Sequence, residues 1–215
     1  HTADTFTFGT LGAAAAAKAV VDNTAAGGGK VTVTADPAGA YANAYKLSVV
    51  AGAGASTQTA AVFTDSVLAL TLGTDAGMAS SVAIGTGNDG VVTITRKQAG
   101  DEFYQVQVLL QTASKALTAY MVDGNKLYIA LGTDESGDPD AAQNTAALIA
   151  TKINGADGVK EIFVAAASGD GSGVFSEVIP GVTFAGGVNP AVNATAADVK
   201  TAIEAIAETP FAVVA

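Results

Sequence analysis

Val31-Thr32-Val33-Thr34 recurs as Val92-Thr93-Ile94-Thr95, and LALTLGTD at residues 68–75 recurs as LYIALGTD at 127–134. The first pair is offset by 61 residues and the second by 59, and Ala38-Gly39 follows the first segment as Ala99-Gly100 follows its copy. A period of about sixty residues marks a duplicated module, because one supersecondary unit repeated in sequence builds the same structure twice. Inside each copy apolar and polar residues alternate, in Lys46-Leu47-Ser48-Val49-Val50 and again in Gln105-Val106-Gln107-Val108. Period-two alternation predicts half-buried strands. Asp123-Gly124-Asn125 between Tyr120-Met121-Val122 and Lys126-Leu127-Tyr128-Ile129 predicts a hairpin, since its central residues tolerate positive φ.

Outward from the repeat, residues 144–154 place Ala146, Ile149 and Ile153 on one helical face, predicting a short helix N-capped near Asn144. Strands are expected at 162–165 and 182–185, separated by the turn-rich Gly169-Asp170-Gly171-Ser172-Gly173. Thr195 predicts the cap of a second helix, 195–208, with Asp198 completing a capping-box variant and Val199, Ile203 and Ile206 in one apolar stripe. Pro210 ends that helix, and 211–214 read as an apolar strand suited to pairing with a neighbour's sheet edge. Near the start, 6–8 alternates like a strand, while 13–17 reads as helix or as an alanine-rich connection. The expected organisation is an N-terminal arm (1–30), a first β-module (31–91), a second β-module (92–187), and a linker with helix and strand (188–215). The expected fold class is mainly β with short helices (α+β), in two tandem β-sandwich-like modules of about 60–95 residues.

Composition narrows the function. Hydrophobic residues make up 49% of the 215, a further 25 residues are glycines, and only 6% of the chain is aromatic, so the interior must be built from small and β-branched side chains. Ten basic against twenty acidic residues give a formal net charge of −10, which repels phosphate backbones and argues against nucleic acid as a partner. The absence of cysteine removes disulfides, thiolate chemistry and Cys-based zinc sites. No apolar run approaches the roughly 18 residues a membrane-spanning helix needs.

Candidate chemistry is sparse. Gly85-Thr86-Gly87-Asn88-Asp89-Gly90 matches G-x-G-x-x-G, but that motif holds pyrophosphate only where it opens a helix, and 91–95 reads as a strand, so a hairpin turn is predicted. Gly27-Gly28-Gly29-Lys30 lacks the glycine and the Ser or Thr of a phosphate loop and reads as a connection. Asp134, Asp138 and Asp140, in an acidic stretch without EF-hand spacing, are weak calcium candidates; a solvated loop is the plainer reading. His1 is the sole histidine, which removes Ser-His-Asp and multi-histidine constellations. Asn193-Ala194-Thr195 is a glycosylation sequon, with Thr195 read instead as the helix cap. No cofactor, small-molecule substrate or enzymatic activity is expected.

AQNTAALIATKING (142–155), FVAAASGDGSGV (163–174) and VTFAGG (182–187) together resemble a module of tailed-phage virion proteins. Residues 186–215 resemble the place where contractile tail sheath proteins leave inserted β-domains and enter their core through a helix and a strand. The resemblance covers about 92–215 and more weakly 31–91. It departs from a full sheath subunit, which would continue well past Ala215. It carries over no functional residue and implies a non-enzymatic, self-assembling virion subunit, either tail sheath or tube or capsid decoration, whose partners are copies of itself and other virion proteins. A cell-surface filament, hook-associated or adhesin subunit is the second expectation, and a calcium- or carbohydrate-binding β-module the third.

Overall fold

The computed structural model describes residues 4–7, 16, 18–22, 29–36, 44–206 and 210–214. The chain is mainly β, with two short helices among the described residues, and it divides into two compact units, residues 1–76 with 190–215 and residues 77–189. The first unit opens with β1 (Asp4–Thr7), β2 (Lys18–Asp22), β3 (Lys30–Ala35), β4 (Lys46–Ala51), β5 (Ala60–Thr64) and β6 (Val67–Leu72). The second unit runs through β7 (Ser81–Gly85), β8 (Val91–Arg96), β9 (Gln105–Leu110), β10 (Thr118–Val122), β11 (Lys126–Leu131), α1 (Ala146–Gly155), β12 (Phe163–Ala167) and β13 (Ile179–Thr183). The chain then returns to the first unit with α2 (Ala196–Glu204) and β14 (Phe211–Val214). Among the described residues no helix is long and apolar enough to cross a membrane.

The two units are built to one plan. The first has a four-stranded sheet ordered β1-β4-β6-β5 and a three-stranded sheet ordered β14-β3-β2; the second has β13-β9-β11-β10 and β12-β8-β7. Lys46 faces Val67 in the parallel β4–β6 pair, and 59 residues later Gln105 faces Lys126 in the parallel β9–β11 pair. Phe211 faces Ala35 across β14–β3 as Phe163 faces Arg96 across β12–β8. Each helix packs on the corresponding strands, α1 on β12, β8 and β10, and α2 on β14, β3 and β5. The helices also correspond in sequence: Thr145-Ala146-Ala147, Ile149 and Ile153 reappear 50 residues on as Thr195-Ala196-Ala197, Val199 and Ile203. The arrangement is therefore a nested duplication, in which the second copy interrupts the first between its sixth strand and its helix, while the outer strand of the larger sheet comes from the start of the first copy (β1) and from the end of the second (β13).

Each core follows from alternation. Val31 and Val33 on β3, and Val92 and Ile94 on β8, face inward while their neighbours face outward. Leu47, Leu68 and Leu70 join the helix residues Val199 and Ile203 in one core; Val106, Leu127 and Ile129 join Ile149 and Ile153 in the other. Fully burying each such side chain contributes about 1.5–3 kcal/mol. Tyr45 meets Phe211 edge-on at 5.5 Å, and its counterpart Tyr104 meets Phe163 at 5.3 Å. An aromatic pair at that geometry adds about 0.5–1.5 kcal/mol beyond the area it buries.

Several expected boundaries move. The division expected between 91 and 92 lies at 76–77, because β7 pairs with β8 and its Val82 and Ile84 enter the second core. Residues 1–30 are more than an arm: β1 pairs with β4, and Ala19 and Val21 of β2 lie in the first core. The closing helix and strand, expected as an appended tail, complete the first core through Val199, Ile203 and Phe211. In particular, 211–214 pair with β3 of their own unit rather than needing a neighbour's edge. The strand expected at 182–185 occupies Ile179–Thr183 and that at 162–165 begins at Phe163. Residues 8, 13–15, 17 and 37–43, with Ala38-Gly39 of the repeat's first copy, lie outside the described residues.

Within each unit the points where the chain leaves and returns lie side by side. Thr74 bridges to Val192, and the Asp75 N–H donates to the Ala191 carbonyl at 2.9 Å. In the second unit Met78 and Val188 each donate an N–H to the other's carbonyl at 2.9 Å. Adjacent ends are the geometry that lets a domain be inserted without opening its host.

The α2 cap is the full box: the Thr195 N–H and hydroxyl donate to the Asp198 carboxylate at 2.8 and 2.7 Å, and the Asp198 N–H donates back to the hydroxyl at 3.2 Å. These donors hold the Asp198 carboxyl below its usual range. A depressed carboxylate pKa stabilises the fold above the unfolded value near 4, and that contribution vanishes as pH falls through the folded value. Thermal melting of the native chain and of Asp198→Ala between pH 7 and pH 3 should therefore show the variant melting lower at neutral pH, with the gap closing below about pH 4.

Candidate functional site

The buried polar side chains are the groups best placed to do something specific, and three of them serve loops. Thr74 and Thr133, the threonines of the repeated Leu-Gly-Thr-Asp, are both buried. The Thr74 hydroxyl donates to the Gly54 carbonyl at 2.8 Å and accepts the Thr57 N–H at 3.1 Å; the Thr133 hydroxyl donates to the Thr112 carbonyl at 2.5 Å and accepts the Lys115 N–H at 3.2 Å. The backbone adds matching bonds, Thr74 N–H to Thr57 and Thr133 N–H to Lys115, while Ser56 and Ser114 donate to Asp75 and Asp134. Ser56 and Ser114 both take positive φ, 54° and 57°. One clamp, hydroxyl for hydroxyl, thus fixes the loop before β5 and the loop before β10. Asn144, expected as a helix cap, is fully buried and forms two bonds with Gly132, accepting its N–H at 2.7 Å and donating to its carbonyl at 2.8 Å. The capping is done one residue later by Thr145, which accepts the Leu148 N–H.

The second unit carries a polar cluster around Arg96. Arg96, the only arginine of the chain, is 5% exposed. It pairs with the Glu102 carboxylate, donates to the Gly100 carbonyl at 3.3 Å, and sets its guanidinium 4.9 Å from the Tyr104 ring centroid. A cation over an aromatic face contributes about 0.5–2 kcal/mol. The cluster ties residues 100–104 to the end of β8. At the equivalent register position in the first unit stands the buried Ala35.

The candidates from the sequence do not converge. Asp134 accepts the N–H groups of Ser136 and Asp138 at 2.8 and 3.0 Å, and Asp140 accepts Ala142 N–H at 2.9 Å and the Gln143 amide at 2.7 Å. These carboxylates shape their own turn. Among the described residues no three His, Cys, Asp or Glu side chains gather into a group able to hold a metal ion. Residues 85–90 connect β7 to β8 as a hairpin; Gly85 has φ +88°, and a Cβ there would collide with the Gly90 carbonyl. Lys30 opens β3, whereas His1, Gly27 and Gly28 lie outside the described residues.

The helices also border a pair of corresponding grooves. In the first unit, Ser56 to Thr59, Asn193, Asp198 and Thr201 line one of about 710 Å³. In the second, Ala116, Leu117, Gln143, Leu148, Thr151 and Lys152 line one of about 560 Å³. The same place is polar in one copy and largely apolar in the other, with Leu148 standing where Asp198 stands. The groups that organise the loops carry sequence signals: the threonine repeats between copies, and Arg96 occupies an inward position in the alternation Val92, Ile94, Arg96.

No family model, no curated protein and no solved structure matches this chain.

Thr133→Val and Thr74→Val each keep the volume but strand a loop N–H and a carbonyl, so urea denaturation should show each variant destabilised by about 1–3 kcal/mol. Because the acidic loop already engages Asp134 and Asp140, the melting temperature should stay the same in calcium and in chelator; a rise with calcium would reveal ligation.

Proposed function

We propose that this chain is a non-enzymatic structural subunit that acts by self-assembly, and that its assembly is a phage virion, as tail sheath or tube or as capsid decoration. The observation that carries the architectural reading is the repeated threonine clamp: in both copies a buried polar side chain serves the backbone of its own loop. Groups held this way stiffen a scaffold. Duplication of a whole β-module suits a protein that works by presenting surfaces in register, and β14, β12, β5 and β10 each stand at a sheet edge. The virion assignment rests on the likeness of 142–155, 163–174 and 182–187 to phage virion modules. Partners on this reading are copies of the chain and neighbouring virion proteins. A cell-surface filament or adhesin subunit is the second reading, favoured by the same composition of small residues.

Negative-stain electron microscopy of the purified chain, with immunogold labelling of phage particles and cells from the same source, tests this. Regular label on a tail or head is the expected result. Dispersed monomers with unlabelled particles would contradict it, and label on filaments rooted in cells would transfer the assignment to the surface class.

A further inference from the structure

Two buried polar atoms of the second unit have no protein partner: the hydroxyl oxygen of Ser80 and the Nε of Arg96. Their residues are 2% and 5% exposed. Both belong to one place. The β7–β8 register pairs Ser81 with Thr95, and one step further the Arg96 N–H donates to the Ser80 carbonyl at 2.9 Å. Directly opposed residues on antiparallel strands project from the same face of the sheet, with Cβ atoms about 4.5–5.5 Å apart. The Gly100 carbonyl lies close by, since a Cβ added at Gly187 would run into both its oxygen and the Ser80 Cβ, but it accepts from Arg96 Nη1, on the other edge of the guanidinium from Nε.

The chemistry of the two groups is complementary to one small ligand: a guanidinium Nε–H only donates, and a serine hydroxyl does either. Buried groups of this kind are almost always satisfied, and leaving one without a partner costs about as much as a lost hydrogen bond. Glu102 already balances the guanidinium charge, so an additional anion has no net charge to answer. The geometry points to a structural water site in which one buried water accepts from Arg96 Nε and bonds the Ser80 hydroxyl. Such a water belongs to the fold as a side chain does. The site would link the start of β7 and the end of β8. It is a feature of the second unit alone, because the first has Ala35 where the second has Arg96. It stands independently of the assembly proposed above.

Ser80→Ala decides the matter by its sign. If the hydroxyl holds a water, the variant loses that partner and its melting temperature falls, by about 3–8 °C for a unit of this size. If the hydroxyl has no partner, its removal relieves a buried polar group, and an unchanged or raised melting temperature overturns the proposal. A high-resolution crystal structure of the native chain provides the second readout. An ordered water within about 3 Å of both Ser80 Oγ and Arg96 Nε is the expected result. Absence of density there, or anomalous signal at that position after bromide soaking, would contradict it.

Discussion

Each unit depends on the strand that closes its three-stranded sheet. Phe163 on β12 and Phe211 on β14 lie across from Arg96 and Ala35 in the same register, each strand delivered by a helix that has just packed its own apolar stripe onto that sheet. Without that strand β8 and β3 would each keep one open side, and Tyr104 and Tyr45 would lose the ring they meet edge-on. The aromatic contact, the helix stripe and the ladder are therefore one cooperative element. It can form only when the end of the module reaches back to its middle.

That requirement explains how one copy sits inside the other. The first module needs its closing helix and strand, yet the chain delivers them only after a complete second module. The interruption is tolerated because the departing and returning segments are hydrogen-bonded neighbours in both units. Threonine clamps at the same point in each copy then fix the loops that precede β5 and β10. The copies nonetheless differ at single side chains. Arg96 replaces Ala35, and Leu148 replaces Asp198 in the corresponding groove.

What could be read from the sequence was local. Alternation gave away β3, β4, β8 and β9, the Asp-Gly turn gave the β10–β11 hairpin, and Thr195 with Asp198 gave the cap of α2. The dinucleotide-like glycines resolved correctly into a turn because the residues after them alternate. What escaped was non-local. A period near sixty does not align α1 with α2, because the inserted copy resets their spacing to 50, so the first module's own end reads as a tail. The module boundary slipped for the same reason, since β7 looks like the end of the first copy until it pairs with β8. Arg96 does not stand out in the sequence because a charged residue near a strand's end is ordinarily solvated, and its partners Glu102, Gly100 and Tyr104 allow it to turn inward.

The central claim is that the chain holds two self-closing copies of one module, the second inserted whole. Expression of residues 77–189 alone, followed by an amide proton–nitrogen NMR spectrum and a thermal melt, addresses it most directly. The account predicts a well-dispersed spectrum and a single cooperative transition, because β7 to β13 and α1 contain every element their core requires. A collapsed spectrum without cooperative melting would show that the second unit depends on the first, and the nested duplication would fail as an account of how the protein folds.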